Sequence, residues 1–396
     1  NAGSTVLWEF TDADDEDLGY TFSQPNIVRL HNGQWGAIFG NGYNNTRADG
    51  NASSSGHAVL YIVDIEDGSL IQKIDTGVGS TTTPNGLATV SPVDLDGDYI
   101  VDRVYAGDLQ GNLWRFDLDD SNANQWDIPY SQGQNNEPLF TACSGTPCAN
   151  NRQPITVRPE VGRAPNNPGA VMVYFGTGKY LENGDGNVGN SPQMQSFYGV
   201  IDADEKPNQF STFDPSDLLE QEILVEQTFS VDGNSYDLRV TSDYTLSSGD
   251  NGWYMDLAPP GSSSVGEIAA TPPLLRAGRI FFTTLIPGDD PCRPGGQSWL
   301  MELDAKDGSR LSYSPFDLDA DGSFSENDWV TVTIDGEEIR VPSSGMKLEV
   351  GGAAMPGVMP GEDSEFKYIS GDDGLQVVRE NPGPESMGRM SWEQLQ

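Results

Sequence analysis

The sequence predicts an all-β fold, a modified β-propeller of about five blades with long loop insertions and one short helix. Glycine (46) and proline (26) are abundant among the 396 residues, and no long helix-forming stretch stands out. Strand-like runs form groups of about four that recur roughly every 60–80 residues, as expected for blades with insertions. A pair of β-sandwiches is the alternative, but it explains the repeated turns less well.

The predicted strands fall into five groups, each rich in β-branched and aromatic residues and bounded by turn-forming residues. The first group comprises residues 6–10, 26–30, 35–39, 58–65 and 69–75. The second comprises 87–93, 103–106, 112–118 and 137–141, and the third 155–161, 170–176 and 195–201. The fourth comprises 252–257, 268–275, 278–285, 299–303 and 310–314, and the last 352–358, 366–370, 375–379 and 389–395.

Two features lie between these runs. The turn sequence VDIEDGS at 63–69 recurs as LDAKDGS at 303–309, and its glycine can supply the positive φ of a tight turn. The segment 215–228, which contains DLLEQEIL, is predicted to be the one helix because its apolar residues have helical spacing.

The charge of the chain excludes several functions. Aspartate and glutamate total 60 against 21 lysines and arginines, for a formal net charge of −39. Such a surface repels phosphate groups, so we expect no nucleic-acid binding and no direct membrane insertion. No apolar run approaches the ~20 residues that span a bilayer. The sequence has no basic-then-apolar signal pattern, so we expect a cytosolic chain, a processed chain or a fragment.

The first acidic loop, residues 94–102, has the spacing of a Ca²⁺ loop. Asp94, Asp96 and Asp98 occupy alternate positions, as in EF-hand-type loops that wrap oxygen ligands around the ion. The backbone carbonyl of Ile100 and the carboxylate of Asp102 complete the predicted ligand set. Tyr99 stands at loop position 6, where the turn normally selects glycine, so either Gly97 takes up the strain one step back or the site is looser. The alternative is an acidic turn without a metal.

The second acidic loop, residues 317–328, follows the twelve-residue pattern more closely. Asp317, Asp319 and Asp321 take positions 1, 3 and 5, and Gly322 takes position 6. The remaining predicted ligands are Ser323, Ser325 and Asp328. Asp328 replaces the usual glutamate with a shorter arm, so we expect a weaker or less selective site. Again the alternative is a plain acidic turn.

Other candidate sites are weak. Cys143 and Cys148 are close enough in sequence to close a small loop as a disulfide, with two free thiols as the alternative. Cys292 has no obvious partner, and neither His31 nor His57 has zinc-like spacing with the cysteines. The chain has no Walker loop and no nucleophile elbow. We therefore expect no catalytic residues.

A longer stretch resembles a known family. Residues 91–117, SPVDLDGDYIVDRVYAGDLQGNLWRFD, are similar to the C-terminal propeller of the PilY/PilC family of type IV pilus tip adhesins and biogenesis factors. Shorter matches run in order along the chain: LWEF at 7–10, AIFGNG at 37–42, FGTGKY at 175–180, QSFYG at 195–199, TTLIP at 283–287, DPC at 290–292, SWLMELD at 298–304 and GRMSW at 388–392.

The resemblance implies a modified seven-bladed propeller with a calcium loop at residues 94–102. Residues 1–396 would then be one such domain, without its first blades and the upstream adhesion module. It implies a non-catalytic tip adhesin that regulates pilus assembly and retraction, exported through the periplasm to the pilus tip at the cell surface. The implied partners are the minor pilins of the tip, the upstream part of the same protein, and a surface or host receptor of unknown identity.

Two other functions remain as alternatives. A propeller dehydrogenase with a quinone cofactor has similar Asp-Gly turns, but this chain has no adjacent cysteine pair and its repeats lack the recurrent tryptophan. The second alternative is a structural module of another extracellular filament.

Overall fold

The computed structural model describes residues 6–383 except 48–49, 146, 166, 168, 190, 208–209, 289–295 and 373. Cys292 and the predicted strand at 389–395 lie outside the described residues. Throughout the described part the regular structure consists of β-strands and single-turn 3-10 helices. The 3-10 helices are Asn45–Arg47, Ala123–Gln125, Cys148–Asn150, Pro215–Asp217 and Glu326–Asp328.

Five sheets of three to six strands follow one another along the chain. The first contains β1 (Asn26–Arg29), β2 (Trp35–Gly40), β3 (His57–Asp64) and β4 (Leu70–Gly79), in that order. The second contains β5 (Ser91–Val93), β6 (Arg103–Gly107), β7 (Asn112–Asp117) and β10 (Phe140–Thr141). Strands β8 (Ser131–Gln132) and β9 (Asn135–Asn136) form a separate hairpin before β10.

The third sheet contains β11 (Glu160–Arg163), β12 (Val171–Gly176), β13 (Ser196–Asp202), β17 (Gly252–Asp256) and β14 (Leu219–Gln221). The fourth contains β15 (Ile223–Val231), β16 (Asn234–Thr241), β23 (Gly345–Lys347), β20 (Gln297–Asp304), β19 (Arg279–Ile286) and β18 (Leu274–Arg276). The fifth contains β24 (Gly357–Pro360), β25 (Glu365–Gly371) and β26 (Gly374–Glu380). Strands β21 (Val330–Ile334) and β22 (Glu337–Val341) form a second separate hairpin.

Each sheet shares an apolar core with the next, which is how propeller blades pack. On β7, Trp114 and Phe116 pack with residues of β3, while Leu113 belongs to the core that contains Val173 and Phe175 of β12. Alternate residues of one strand therefore face different neighbouring sheets. This explains why the inner strands are apolar on both faces and why their sequences lack a clear polar side.

The predicted helix at 215–228 is wrong. Only Pro215–Asp217 forms a single 3-10 turn, capped by Asp214, and the chain then continues as β14 and β15. Strand β14 pairs with β17, and the buried side chain of Gln221 donates hydrogen bonds to the carbonyls of Tyr244 and Asp307. These long-range partners outweigh the local helical spacing.

Other strand predictions also needed correction. Residues 6–10 and 310–314 form no strand, and the sequence prediction missed the β15–β16 and β21–β22 hairpins. Each missed hairpin turns at an Asp-Gly pair with positive φ, at 232–233 and 335–336. This dipeptide is a standard signal for a two-residue hairpin turn, so the sequence did contain the evidence.

A tryptophan packs over each of the two repeated turns. A β-carbon added to Gly68 would overlap the indole of Trp8, and one added to Gly308 would overlap the indole of Trp253. The indole nitrogen of Trp8 donates to the carbonyl of Ile65 at 2.9 Å, and that of Trp253 donates to the carbonyl of Ala305 at 3.3 Å. Ile65 and Ala305 occupy the same position in the two turns, directly after the first aspartate. Both tryptophans lie outside the repeated turn sequences, so the sequences of the turns do not reveal these contacts.

We expect Gly308→Ala to destabilise the domain strongly. Gly308 has φ +73°, and its new β-carbon would also displace the Trp253 indole. Strained backbone and overpacking should together cost about 2–4 kcal/mol of unfolding free energy. The matched control is Gly278→Ala, which has φ +77° but open space around the β-carbon, so it should lose only the backbone part. Equal losses for the two variants in denaturant titrations would show that the indole contact has no energetic role.

Candidate metal centre

The first acidic loop leaves β5 and returns to β6, so both of its ends are fixed by the second sheet. Its carboxylates accept hydrogen bonds from the loop backbone. Asp94 accepts from the N–H groups of Gly97 and Tyr99 at 2.7 and 2.8 Å, and Asp96 accepts from Asp98 at 3.1 Å. These contacts turn the backbone around the carboxylates, as in a loop that surrounds a cation.

The two loops share a left-handed backbone at two equivalent positions. Gly97 and Tyr99 have φ 87° and 68°, and Ala320 and Gly322 have φ 59° and 89°. Loop positions 4 and 6 are thus left-handed in both. Gly97 does not relieve Tyr99 of this conformation, because Tyr99 adopts it as well.

The second loop repeats only part of the hydrogen bonding of the first, because among the described residues Asp317 accepts no backbone bonds equivalent to those of Asp94. Asp321 accepts from the backbone N–H and the hydroxyl of Ser323 at 2.7 and 2.6 Å, and the N–H of Asp321 donates to Asp319 at 3.0 Å. The bonds from Ser323 lower the pKa of the Asp321 carboxyl. The short element Glu326–Asp328 then closes the loop, with Ser325 as its cap.

Asp102 and Asp328 have equivalent roles, although they stand at different loop positions. Asp102 accepts the N–H of Leu95 at 2.6 Å, and Asp328 accepts the N–H of Leu318 at 2.7 Å. In both cases the donor is the second residue of the loop. The second oxygen of Asp328 accepts from Ser325 at 2.9 Å, and its side chain is fully buried. The last aspartate of each loop therefore ties the start of the loop to its end.

The structure brings together three carboxylates in each loop. Within the described residues, Asp94, Asp96 and Asp102 place ligand oxygens within 4.8 Å of one another, and so do Asp317, Asp319 and Asp321. Asp98 and Asp328 lie in the same loops but outside these carboxylate clusters. The role of the remaining predicted ligands stays a prediction: Asp98, Ile100, Ser323, Ser325 and Asp328.

Sequence analysis missed two side chains next to these clusters. His31 Nε2 lies 2.9 Å from Asp102 Oδ1. Arg379 Nη1 lies 3.2 Å from Asp317 Oδ2, and its Nη2 donates to the carbonyl of Gly322 at 2.8 Å. Both come from distant parts of the chain, so no local spacing could have revealed them.

The second cluster fits a hard cation. Asp317 is nearly buried, and its Oδ1 has no hydrogen-bond partner among the described residues. Burial raises the pKa of Asp317; Arg379 opposes this effect, and the neighbouring Asp328 and Asp319 add to it. A buried carboxylate oxygen without a partner is costly, and a cation between the three carboxylates would remove that cost. Carboxylate oxygens are also the ligands that Ca²⁺ prefers.

Comparison with known proteins gives the family. The sequence model of the PilY1 beta-propeller domain matches residues 7–237, more than half of the chain. The chain belongs to the PilY1 β-propeller family. It is 34% identical over 380 residues to a type IV pilus biogenesis factor PilY1 homolog of Xylella fastidiosa, covering 93% of this chain and 22% of that protein. It is 30% identical over 419 residues to PilY1 of Pseudomonas aeruginosa strain PAO1, covering all of this chain and 34% of that protein.

A solved PilY1 structure has the same fold. The crystal structure of the Pseudomonas aeruginosa PilY1 C-terminal domain superposes with a TM-score of 0.79 at 27% identity, covering 96% of this chain and 75% of that one. This confirms the predicted propeller. The chain spans between about a fifth and a third of the length of the curated PilY1 relatives. No helix in the part of the chain that the structure describes is long and apolar enough to cross a membrane.

The disulfide prediction is also confirmed. Cys143 and Cys148 are bonded, and the bridge ties the residues just after β10 to the 3-10 helix Cys148–Asn150. A backbone bridge between Cys143 and Arg152 extends this closure. The loop is thus held against the second blade.

Proposed function

We propose that this PilY1-family domain is a calcium-dependent, non-catalytic part of a type IV pilus biogenesis factor that acts as an adhesin at the pilus tip. The observation that carries the proposal is the similarity along almost the whole chain to proteins named as type IV pilus biogenesis factors. The proposed location is the cell surface at the pilus tip, reached through the periplasm. The proposed partners are minor pilins, the upstream part of the same protein and a surface receptor.

The proposed calcium sites are the two acidic loops. Asp94, Asp96 and Asp102 would hold one ion, and Asp317, Asp319 and Asp321 the other. Bound calcium would neutralise the mutual repulsion of the carboxylates and fix the loop conformation that partner proteins contact. The ion would supply no catalysis, and its effect would lie in the shape of the surface.

We expect the first loop to bind one Ca²⁺. Asp96→Asn should weaken that binding at least about tenfold, because the affinity of such loops depends on the number of charged ligands and the substitution removes one. The amide keeps the acceptor for the N–H of Asp98. Calorimetric titration checks this, with Asp119→Asn, an exposed aspartate outside both clusters, as the control. Asp98→Ala tests whether the fifth loop position also contributes. An unchanged titration of the Asp96 variant would remove the first loop from the proposal.

The location at the pilus tip has a direct test. Immunogold labelling of intact cells of the source organism should place the protein at pilus ends, because an adhesin acts where the filament meets a surface. An Asp96→Asn protein should be exported normally but alter twitching motility or surface piliation. Label along another filament, or none on pili, would favour a structural module of a different assembly. Normal motility with calcium binding lost would restrict the ion to a structural role.

The alternative, a quinone-dependent dehydrogenase, has less support. The relatives are named as pilus biogenesis factors and not as enzymes. An absorbance spectrum of purified protein separates the two proposals, because a bound quinone absorbs in the near ultraviolet and calcium does not.

A further inference from the structure

A polar cavity of about 550 Å³ lies between the first and second blades. None of its lining residues belongs to either acidic loop. Strand β4 forms one wall, and the β8–β9 hairpin forms another, tied to β4 by a 3.0 Å hydrogen bond from Asn136 Nδ2 to the carbonyl of Asp75. The volume is within the range of sites for small molecules. Amide and hydroxyl side chains dominate the lining, so the cavity suits a ligand rich in hydroxyl groups.

One arginine that lines the cavity, Arg152, forms no ion pair with a carboxylate of the described residues. The other buried arginines are matched: Arg115 pairs with Asp117, Arg239 with Glu267 and Arg279 with Glu302. Arg152 is half-buried and forms no ion pair with any described residue, although Glu137 lines the same cavity. Burial lowers the pKa of Arg152, and the charge of the nearby Asp108 opposes this effect, so the guanidinium remains charged. Asp108 forms no ion pair with it, and a partly desolvated cation with no anion in direct contact favours an external one.

The neighbours of Arg152 hold its guanidinium in place. Its Nη1 donates to Asn112 Oδ1 at 2.6 Å, with Thr141 Oγ1 and the carbonyl of Gln110 at 3.4 Å. Among the described residues, no acceptor forms a hydrogen bond with its Nε or Nη2. Neither atom is among the buried polar atoms that lack a partner, so both are accessible to a ligand. The disulfide-closed loop fixes the backbone here through the bridge between Cys143 and Arg152. One edge of the guanidinium is therefore anchored, and the other remains available for a carboxylate.

We propose that this cavity binds an acidic saccharide, a sugar that carries one carboxylate. Arg152 takes the carboxylate, and the amides of the β8–β9 hairpin and Gln110 bond the ring hydroxyls. Glu137, whose Oε2 accepts from Thr212 at 3.0 Å, adds an acceptor and limits how much negative charge the site tolerates. The site is independent of the calcium loops and of the pilus location, so its failure leaves the proposed function intact.

Calorimetric titration of the purified protein with three probes tests this site. D-Glucuronate should bind about tenfold or more tightly than D-glucose, which lacks only the carboxylate, or than acetate, which lacks the hydroxyls. Equal affinity for glucuronate and glucose, or for glucuronate and acetate, would overturn the proposal.

Two variants move the affinity in opposite directions. Arg152→Gln should reduce glucuronate binding to the level of glucose, whereas Glu137→Gln should strengthen it several-fold, because it removes a like charge but keeps the acceptor for Thr212. If Arg152→Gln fails to fold, the glucuronate affinity of the Glu137→Gln variant tests the proposal instead. Weaker or unchanged glucuronate binding in that variant, or unchanged binding in a folded Arg152 variant, would contradict the assignment.

Discussion

Replacing Lys367 with methionine should destabilise the domain by about 3–5 kcal/mol, the loss typical of one partner removed from a buried ion network. Lys367 is fully buried between the fourth and fifth blades. Its Nζ lies 2.8 Å from Glu365 Oε1, 2.7 Å from Glu380 Oε2, and 3.9 Å from the centre of the Phe281 ring. Methionine keeps the length of the side chain but leaves the carboxylates without this cation. Chemical denaturation measures the loss.

The other charged side chains around Lys367 affect how large the loss of stability is and how it depends on pH. Arg279 pairs with Glu302 and, at 2.7 Å, with Glu365, so a second cation remains after the substitution. Burial and the neighbouring Glu302 raise the pKa of Glu380 well above its usual 4.5. Glu380 therefore binds a proton more readily in the folded state, and its contribution to stability falls as the pH rises from 4.5 towards the folded pKa. Glu380→Gln should remove that part of the pH dependence.

Two controls complete this prediction. Lys347→Met removes a half-exposed lysine, 3.7 Å from Asp237, and should cost less than about 1 kcal/mol. The double variant Lys367→Met with Glu380→Gln should lose less than the sum of the single variants, because the two side chains are in contact. A Lys367 variant as stable as the Lys347 variant would show that the network does not hold the blades together.

Removing calcium should lower the stability by about 2.7 kcal/mol for each occupied loop at a free metal concentration of 100 Kd, since the ion binds only the folded loop. With both loops occupied, the expected loss is about 5 kcal/mol, visible as a large fall in melting temperature when a chelator is added. The fold should persist, because its core consists of apolar strands such as β12 and β19.

Variants identify the loop responsible for each part of the loss. At the same calcium concentration, Asp96→Asn should reduce the contribution of the first loop to about 1.4 kcal/mol or less, because a tenfold weaker site is then only at 10 Kd. Asp319→Asn should do the same for the second loop, and the double variant should show the smallest difference in melting temperature between calcium and chelator. Magnesium serves as the competing ion, because it requires a stricter geometry than these loops provide. An unchanged melting temperature of the parent protein after chelation would contradict both calcium sites.

The sequence by itself determined what depends on neighbouring residues. Asp94 and Asp96 are close in the structure, as are Asp317, Asp319 and Asp321, because a turning loop brings every second residue to the same side. Asp98 has the same spacing but lies outside the first cluster. The disulfide between Cys143 and Cys148 follows from their short separation. Most strands of the first three sheets were also predictable, since β-branched runs between turn residues define them locally.

The tertiary structure decided what depends on distant residues. The segment predicted as a helix forms strands β14 and β15 instead, because pairing of β14 with β17 and of β15 with β16 outweighs the helical spacing of its apolar residues. The tertiary structure also placed His31 beside Asp102 and Arg379 beside Asp317, and it buried Lys367 against Glu365 and Glu380. Such contacts join residues far apart in the chain, and their energies depend on burial and on the approach of opposite charges. Both are properties of the packed blades, which a local pattern of residue types does not contain.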